Sequence, residues 1–259
     1  MEQALGACLI VRGGREFSFT AEGKAAIAAA ESMEAIVANA ASAIRAAKTD
    51  IGGVIRISTV PSMLRTLMPL LPIAADAHPK LSIELSAAMR TIDLAKGEAD
   101  IAVRMTQPRE IDLIALRAFE IGFGVYASKD YVAQCGLPCL PEELSAHRLI
   151  QYAEPMLHLP WFGWLDRYAH KGAAATRADS TEMAVGLIGA GAGIGVIPCF
   201  SGDQSSNLLR IFPEPVATAV GWIVYHETTR DSARVRVVVD MLVEFLEARK
   251  DELSGRRTL

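Results

Sequence analysis

From Gly53 onward the chain alternates short β-branched runs with helical faces, and that alternation restricts the fold more than any other feature. Val54 to Ser58 reads as a strand. Pro61 suits a first helical turn, and Met63, Leu64, Leu67 and Leu71 give one apolar face running to His78. Leu81 to Leu85 alternates Leu, Ile, Leu as a half-buried strand does. A short helix around Ile92 to Ala95 leads into a buried strand, Ile101 to Arg104. Strand, helix, strand, helix, strand predicts an α/β fold with a parallel sheet covered on both faces.

A second set of elements follows. Phe119 to Tyr126 reads as a longer, crossing strand, and Leu149 to Tyr152 as another strand. Helices are expected through Trp161 to His170 and from about Thr181 to Gly189, then strands at Gly195 to Ile197 and Trp222 to His226. The last helix carries Val235, Val238, Val239, Leu242 and Phe245 on one face and returns to the first set. The pattern predicts two lobes with two crossings between them, lobe I at about 52–120 and 225–250 and lobe II at about 121–224. Ligands of open α/β sheets sit beyond the carboxyl ends of the strands, here at the mouth between the lobes.

The first fifty residues differ. Thr20 to Ala47 is Ala-rich and free of proline, with Thr20 placed to cap and Glu22 in the first turn. Met33, Ile36, Val37, Ala40 and Ile44 recur at three- and four-residue steps. A helix of that length spans roughly 40 Å, and Gly52-Gly53 ends it. A narrow stripe of this kind fits a connector that pairs with a second copy, with those five residues as the dimerising face; a helix packed on its own domain is the alternative.

Several function classes fall away. With a net charge of −4 and a pI near 5.8 this is not a nucleic-acid-coating chain. No apolar stretch approaches the roughly 18 residues of a membrane span, and the start lacks the pattern of a signal peptide, so no membrane association and a cytoplasmic location are expected. Four cysteines are too few for a disulfide framework in 259 residues. Cys135 and Cys139 have no second ligand pair downstream, and the five histidines are scattered, so neither a metal nor a cofactor is expected. Gly189 to Gly195 lacks nucleotide-loop spacing and follows a helix, so a helix end turning into a strand accounts for it better. No nucleophile elbow or His-Glu-x-x-His occurs, and nothing supports an enzyme.

Polar groups cluster where strands give way to loops or helices: Thr59, Ser62, Arg90, Thr91 and Ser180. Thr59 and Ser62 flank a helix start, which favours an anion, and Arg90 offers a charge-assisted contact to a carboxylate or phosphate. Helix caps use the same atoms, so Thr59, Ser62 and Ser180 read equally well as caps and Arg90 as a solvent arm.

Leu5-Gly6, Leu9 to Arg12, Arg15 and Phe19 to Gly23 resemble the wing and the start of the linker helix of LysR-type transcriptional regulators. Gly53 to Ile57, Pro69, His78-Pro79, Gly97 to Arg104 and Gly191 to Pro198 agree in order and spacing, so the resemblance spans nearly the whole chain. It implies a winged helix-turn-helix, a dimerising linker helix and a two-lobed effector domain similar to periplasmic binding proteins, assembled as dimers or tetramers. On that pattern residues 1–19 are the end of a recognition helix and the wing, 20–51 the linker helix, and 52–250 the effector-binding domain. Ser62 matches a helix-start position that contacts effector, and the loop at Arg90-Thr91 and the segment at Val103-Arg104 line the cleft. With Thr59, Pro61 and Ser180 these form the expected effector set.

Family members carry roughly forty further residues before the point where this sequence starts, including most of the recognition helix, whose N-terminal residues read bases. Arg12 and Arg15 of the wing remain as candidate contacts to phosphates or a minor groove. The expected function is regulation of a promoter by a small-molecule effector. The alternative is a truncated protein that binds effector and dimerises without reading DNA.

Overall fold

Two long strands carry the chain back and forth between two lobes. The protein is described by a computed structural model for residues 2, 6–13, 16–31, 33, 37, 51–87, 92–170 and 176–256. It divides into two units, Met1–Asp50 and Ile51–Leu259.

In the first unit β1 (Ile10–Gly13) and β2 (Glu16–Phe19) form an antiparallel hairpin. The Glu2 carboxylate accepts hydrogen bonds from the amides of Leu9 and Ile10 at 2.6 and 3.2 Å, and these bonds hold its pKa below the ordinary value. Helix α1 covers residues 21–31, and Met33 and Val37 are also helical. Thr20 caps it as expected: its Oγ1 accepts from the Gly23 amide at 2.9 Å and donates to the Cys8 carbonyl at 2.7 Å.

The second unit begins with β3 (Gly53–Thr59), α2 (Pro61–Leu67) and α3 (Leu70–Ala77). One helix was expected here. It is broken at Pro69, which has no N–H to continue the ladder and instead caps α3. Next come β4 (Leu81–Ala87) and β5 (Ile101–Arg104), both parallel to β3. The helix expected around Ile92 to Ala95 is absent; residues 94–97 are turns, with the Gly97 amide bonded to Leu94 and Gly97 at φ +71°. Asp100 fixes the register of β3 against β5, because its carboxylate accepts from the Arg56 amide at 2.7 Å while its own amide donates to the Arg56 carbonyl at 2.9 Å.

The crossing strand β6 runs through 16 residues, Leu113–Ser128, twice the length expected. It is followed by α4 (Lys129–Cys135), β7 (Leu149–Tyr152), α5 (Glu154–Leu157), β8 (Thr176–Ala178), α6 (Thr181–Gly189), β9 (Ile194–Pro198), α7 (Cys199–Asp203) and β10 (Leu208–Arg210). The helix expected over Trp161 to His170 shrinks to a 3-10 turn at Trp164–Tyr168, since Gly163 interrupts it. The second crossing strand, β11 (Ala217–His226), pairs antiparallel with β6 along its length and with β5. Helices α8 (Ala233–Glu247) and α9 (Lys250–Ser254) complete the unit.

The sheet order is β4-β3-β5-β11-β6-β9-β7-β8, with β10 on β6. Lobe I holds the β4-β3-β5 side with α2, α3 and α8, and lobe II the β9-β7-β8 side with α6 and α7. From Ile121 to Ser128 every residue of β6 is buried, as befits a strand covered on both faces. Helix α8 buries Val235, Val238, Val239, Leu242, Phe245 and Leu246, the stripe read from the sequence extended by one residue. Where the strands cross between lobes, the β11–β6 register slips between Gly221 and Trp222, leaving Ala118 as the extra residue of a bulge.

Candidate effector cleft

The cleft is built from the carboxyl ends of lobe I strands and the start of α6 in lobe II. Ser58 and Thr59 end β3 and are buried, and Thr59 Oγ1 donates to the Val103 carbonyl of β5 at 3.4 Å. Pro61 then opens α2, where a missing N–H costs nothing. No side chain caps this helix, and the Ser62 hydroxyl makes no hydrogen bond among the described residues, which leaves it open to a ligand. Ser180 does the opposite: its Oγ accepts from the Met183 amide and donates to Asp179, so it caps α6 and presents its neighbours Thr181 and Glu182.

Arg104 ends β5 half-buried, one guanidinium nitrogen donating to the Ile92 carbonyl at 2.6 Å. That bond fixes the side chain and leaves its other N–H groups unused by it. Together Ser58 to Ser62, Ile92, and Ala102 to Thr106 from lobe I and Met156, His158, Leu159, Phe162, Thr181 and Glu182 from lobe II enclose a cavity of about 180 Å³. Its walls are largely apolar, with a few hydroxyls, a cation from one lobe and a carboxylate from the other, the make-up of a site for a compact polar ligand. Tyr152 stands behind it, donating to the Val196 carbonyl at 3.1 Å, and burial pushes its hydroxyl well above the ordinary tyrosine pKa.

Of the expected effector residues, Thr59, Pro61, Ser62 and Arg104 line this cavity. Ser180 does not, and Arg90 and Thr91 lie outside the described residues. Thr181 and Glu182 were missed although they directly follow the chosen Ser180. Met156, His158 and Leu159 fall outside every element expected from the sequence, and Phe162 falls in the helix expected over Trp161 to His170 without being marked as a site residue.

Arg12 lies in β1, and Arg15 lies outside the described residues, as do Ile36, Ala40 and Ile44 of the helical stripe. Met33 and Val37 are each 67% exposed. Gly189 to Gly195 forms a helix end: the Ala192 amide bonds the Leu187 carbonyl and the Gly191 amide that of Ile188, with Gly191 at φ +74°. Among the described residues no three His, Cys, Asp or Glu side chains group as a metal site, and no helix is long and apolar enough to cross a membrane.

Residues 48–247 match the family model of the LysR substrate binding domain. The chain is 29% identical over 254 residues to the HTH-type transcriptional regulator CrgA of Neisseria meningitidis, covering 95% of this chain and 85% of that protein. It is 24% identical over 257 residues to the HTH-type transcriptional regulator YhjC of Escherichia coli, covering 93% and 84%. Among solved structures, CrgA superposes with a TM-score of 0.66 at 29% identity over 95% of this chain and 86% of CrgA. An AphB variant superposes with a TM-score of 0.70 at 19% identity over 94% and 86%, a likeness of fold. The chain therefore belongs to the LysR family of transcriptional regulators, and the two-lobed α/β unit is its effector-binding domain.

Proposed function

We propose that a small-molecule effector binds between the lobes, changes their relative angle and so alters how a dimer or tetramer of this protein engages promoter DNA in the cytoplasm. The observation that carries this reading is the cavity walled by strand ends of lobe I and the start of α6 in lobe II. A ligand touching both walls has a different affinity for each lobe arrangement, which is what a population shift requires. Thr59, Pro61, Ser62 and Arg104 contact the effector from lobe I, Arg90 and Thr91 join them, and Thr181 and Glu182 close from lobe II. Ser180 positions the last two. Met33 and Val37, exposed and apolar, belong to the dimerising face with Ile36, Ala40 and Ile44, while Arg12 and Arg15 approach DNA backbone. The protein carries out no chemical step of its own.

The test is a gel-shift of the protein, expressed from its native locus, on the DNA upstream of its own gene, with and without extracts of small metabolites. A sequence-specific complex whose mobility or affinity responds to the extract supports the reading, and no specific complex under any condition sinks it. The alternative, a dimerising effector binder that does not read DNA, is not favoured: the relatives aligned over nine-tenths of the chain are HTH-type transcriptional regulators.

A further inference from the structure

Trp161 is 9% exposed, and its indole Nε1 is buried without a hydrogen-bond partner among the described residues. Buried donors are nearly always paired, so one that is not calls for a reason. The indole stacks on Phe123 of β6 with ring centroids 5.3 Å apart and 20° between planes. Phe162, which lines the effector cleft, meets the same Phe123 ring edge-on at 5.7 Å. Trp161 also lines a second, more open cavity of about 650 Å³ with Trp222 and Val220 of β11 and with Arg109. Met105 and Thr106 line both cavities, so the second compartment adjoins the cleft.

We propose that this compartment holds part of the effector, a flat molecule with a carbonyl or carboxylate oxygen, and that Trp161 Nε1 donates to that oxygen and so selects for it. The flatness follows from two indoles on the walls, and the acceptor from the unpaired donor of Trp161 and from exposed Arg109, which lines the same cavity. Because Nε1 is sealed in this arrangement, the oxygen reaches it only when the segment bearing Trp161 in lobe II moves relative to Met105–Arg109 and the crossing strand β11. The bond exists in one lobe arrangement and not in the other, which ties ligand chemistry to lobe angle. The inference rests on the cleft being the effector site.

The test uses the full chain labelled with 15N, whose three indole resonances, from Trp161, Trp164 and Trp222, are assigned by Phe substitutions. Benzoate and benzamide are the probes, and benzylamine, flat but without an acceptor oxygen, is the control. Saturable downfield movement of the Trp161 indole proton with the first two and not with the third is expected on the order of 10 mM. Trp161→Phe keeps an aromatic ring on Phe123 and removes the orphan donor together with part of the ring, so a modest fall in melting temperature from the space left is expected while its affinity for benzoate falls about tenfold. An unchanged affinity of Trp161→Phe for benzoate would show that Nε1 does not donate to the ligand and would overturn the proposal. So would movement of Trp222 alone, or of no indole. The backbone amides of Ser62 and Thr181 report the cleft in the same spectra: their movement without Trp161 removes this inference and keeps the effector site, whereas silence at all positions removes the ligand class as well.

Discussion

Replacing Arg210 with Met tests how the C-terminus is tied to lobe II. The Arg210 side chain is 1% exposed. It donates to Tyr126 Oη at 2.9 Å, to the Gly255 carbonyl at 2.7 Å, to the Pro213 carbonyl at 3.0 Å and to both oxygens of Asp203. Burial opposes its charge, but Tyr126, Cys199 and Asp203 outweigh that and hold its pKa above the ordinary value. Removing one member of a buried ion pair costs about 3–5 kcal/mol because the other is stranded. Asp203 is 22% exposed and partly hydrated, which points to the lower end, about 3 kcal/mol. For a unit of this size that is a fall in melting temperature of roughly 6–12 °C. The assay is urea unfolding followed by tryptophan fluorescence, with Tyr126→Phe and the double variant completing a cycle. The two losses should be less than additive. A loss below about 1 kcal/mol for Arg210→Met would refute the claim that this network anchors the segment after α8.

Three further outcomes follow from other sites. A Cβ at Gly221 would sit 2.1 Å from the Phe119 ring, so Gly221→Ala should destabilise by about 1–3 kcal/mol, and Phe119→Leu in the same chain should recover part of it; equal stability of Gly221→Ala and parent contradicts the bulge packing. Burial raises the pKa of Tyr126 and Tyr152 above their ordinary value of 10.0, so the folded state keeps both protonated while the unfolded chain releases protons as pH rises. Their contribution is complete below pH 10.0 and is lost above it, by at most about 1.4 kcal/mol per pH unit each, and urea midpoints that stay flat through this range would contradict the sign. Val37→Glu places a charge at an exposed apolar position proposed for a dimerising face and should lower the oligomer mass seen by sedimentation at micromolar concentration, whereas an unchanged mass would exclude Val37 from such a face.

Much of the fold was legible because periodicity is local. Strands Leu149–Tyr152 and Ile101–Arg104 and helix Thr181–Gly189 lie where alternation and capping put them. The two crossing strands are far longer than the apolar runs that announced them, because their added residues pair across lobes and not with sequence neighbours. Helices expected at Ile92 to Ala95 and over Trp161 to His170 give way to turns built around Gly97 and Gly163. The lobe I half of the cleft was readable, since strand ends and helix starts carry marked residues such as Thr59, Pro61 and Ser62. Met156, His158 and Phe162 were not: Met156 sits on a helix of a single turn, too short to show a period, and the other two reach the cavity from turns that follow it.

A compact ligand bound between the lobes should stabilise this protein. The most direct measurement is a thermal-shift screen of small metabolites on the parent chain and on Ser62→Trp, whose indole fills the cavity from the first turn of α2. A ligand at a hundredfold excess over its Kd adds about 2.7 kcal/mol, which in a unit of this size is a rise of roughly 5–11 °C. The expected result is such a rise for at least one compact ligand on the parent and none on Ser62→Trp, with the two proteins equally stable to urea without ligand. Equal rises on both proteins would place the ligand elsewhere, and no rise with any metabolite would contradict the account.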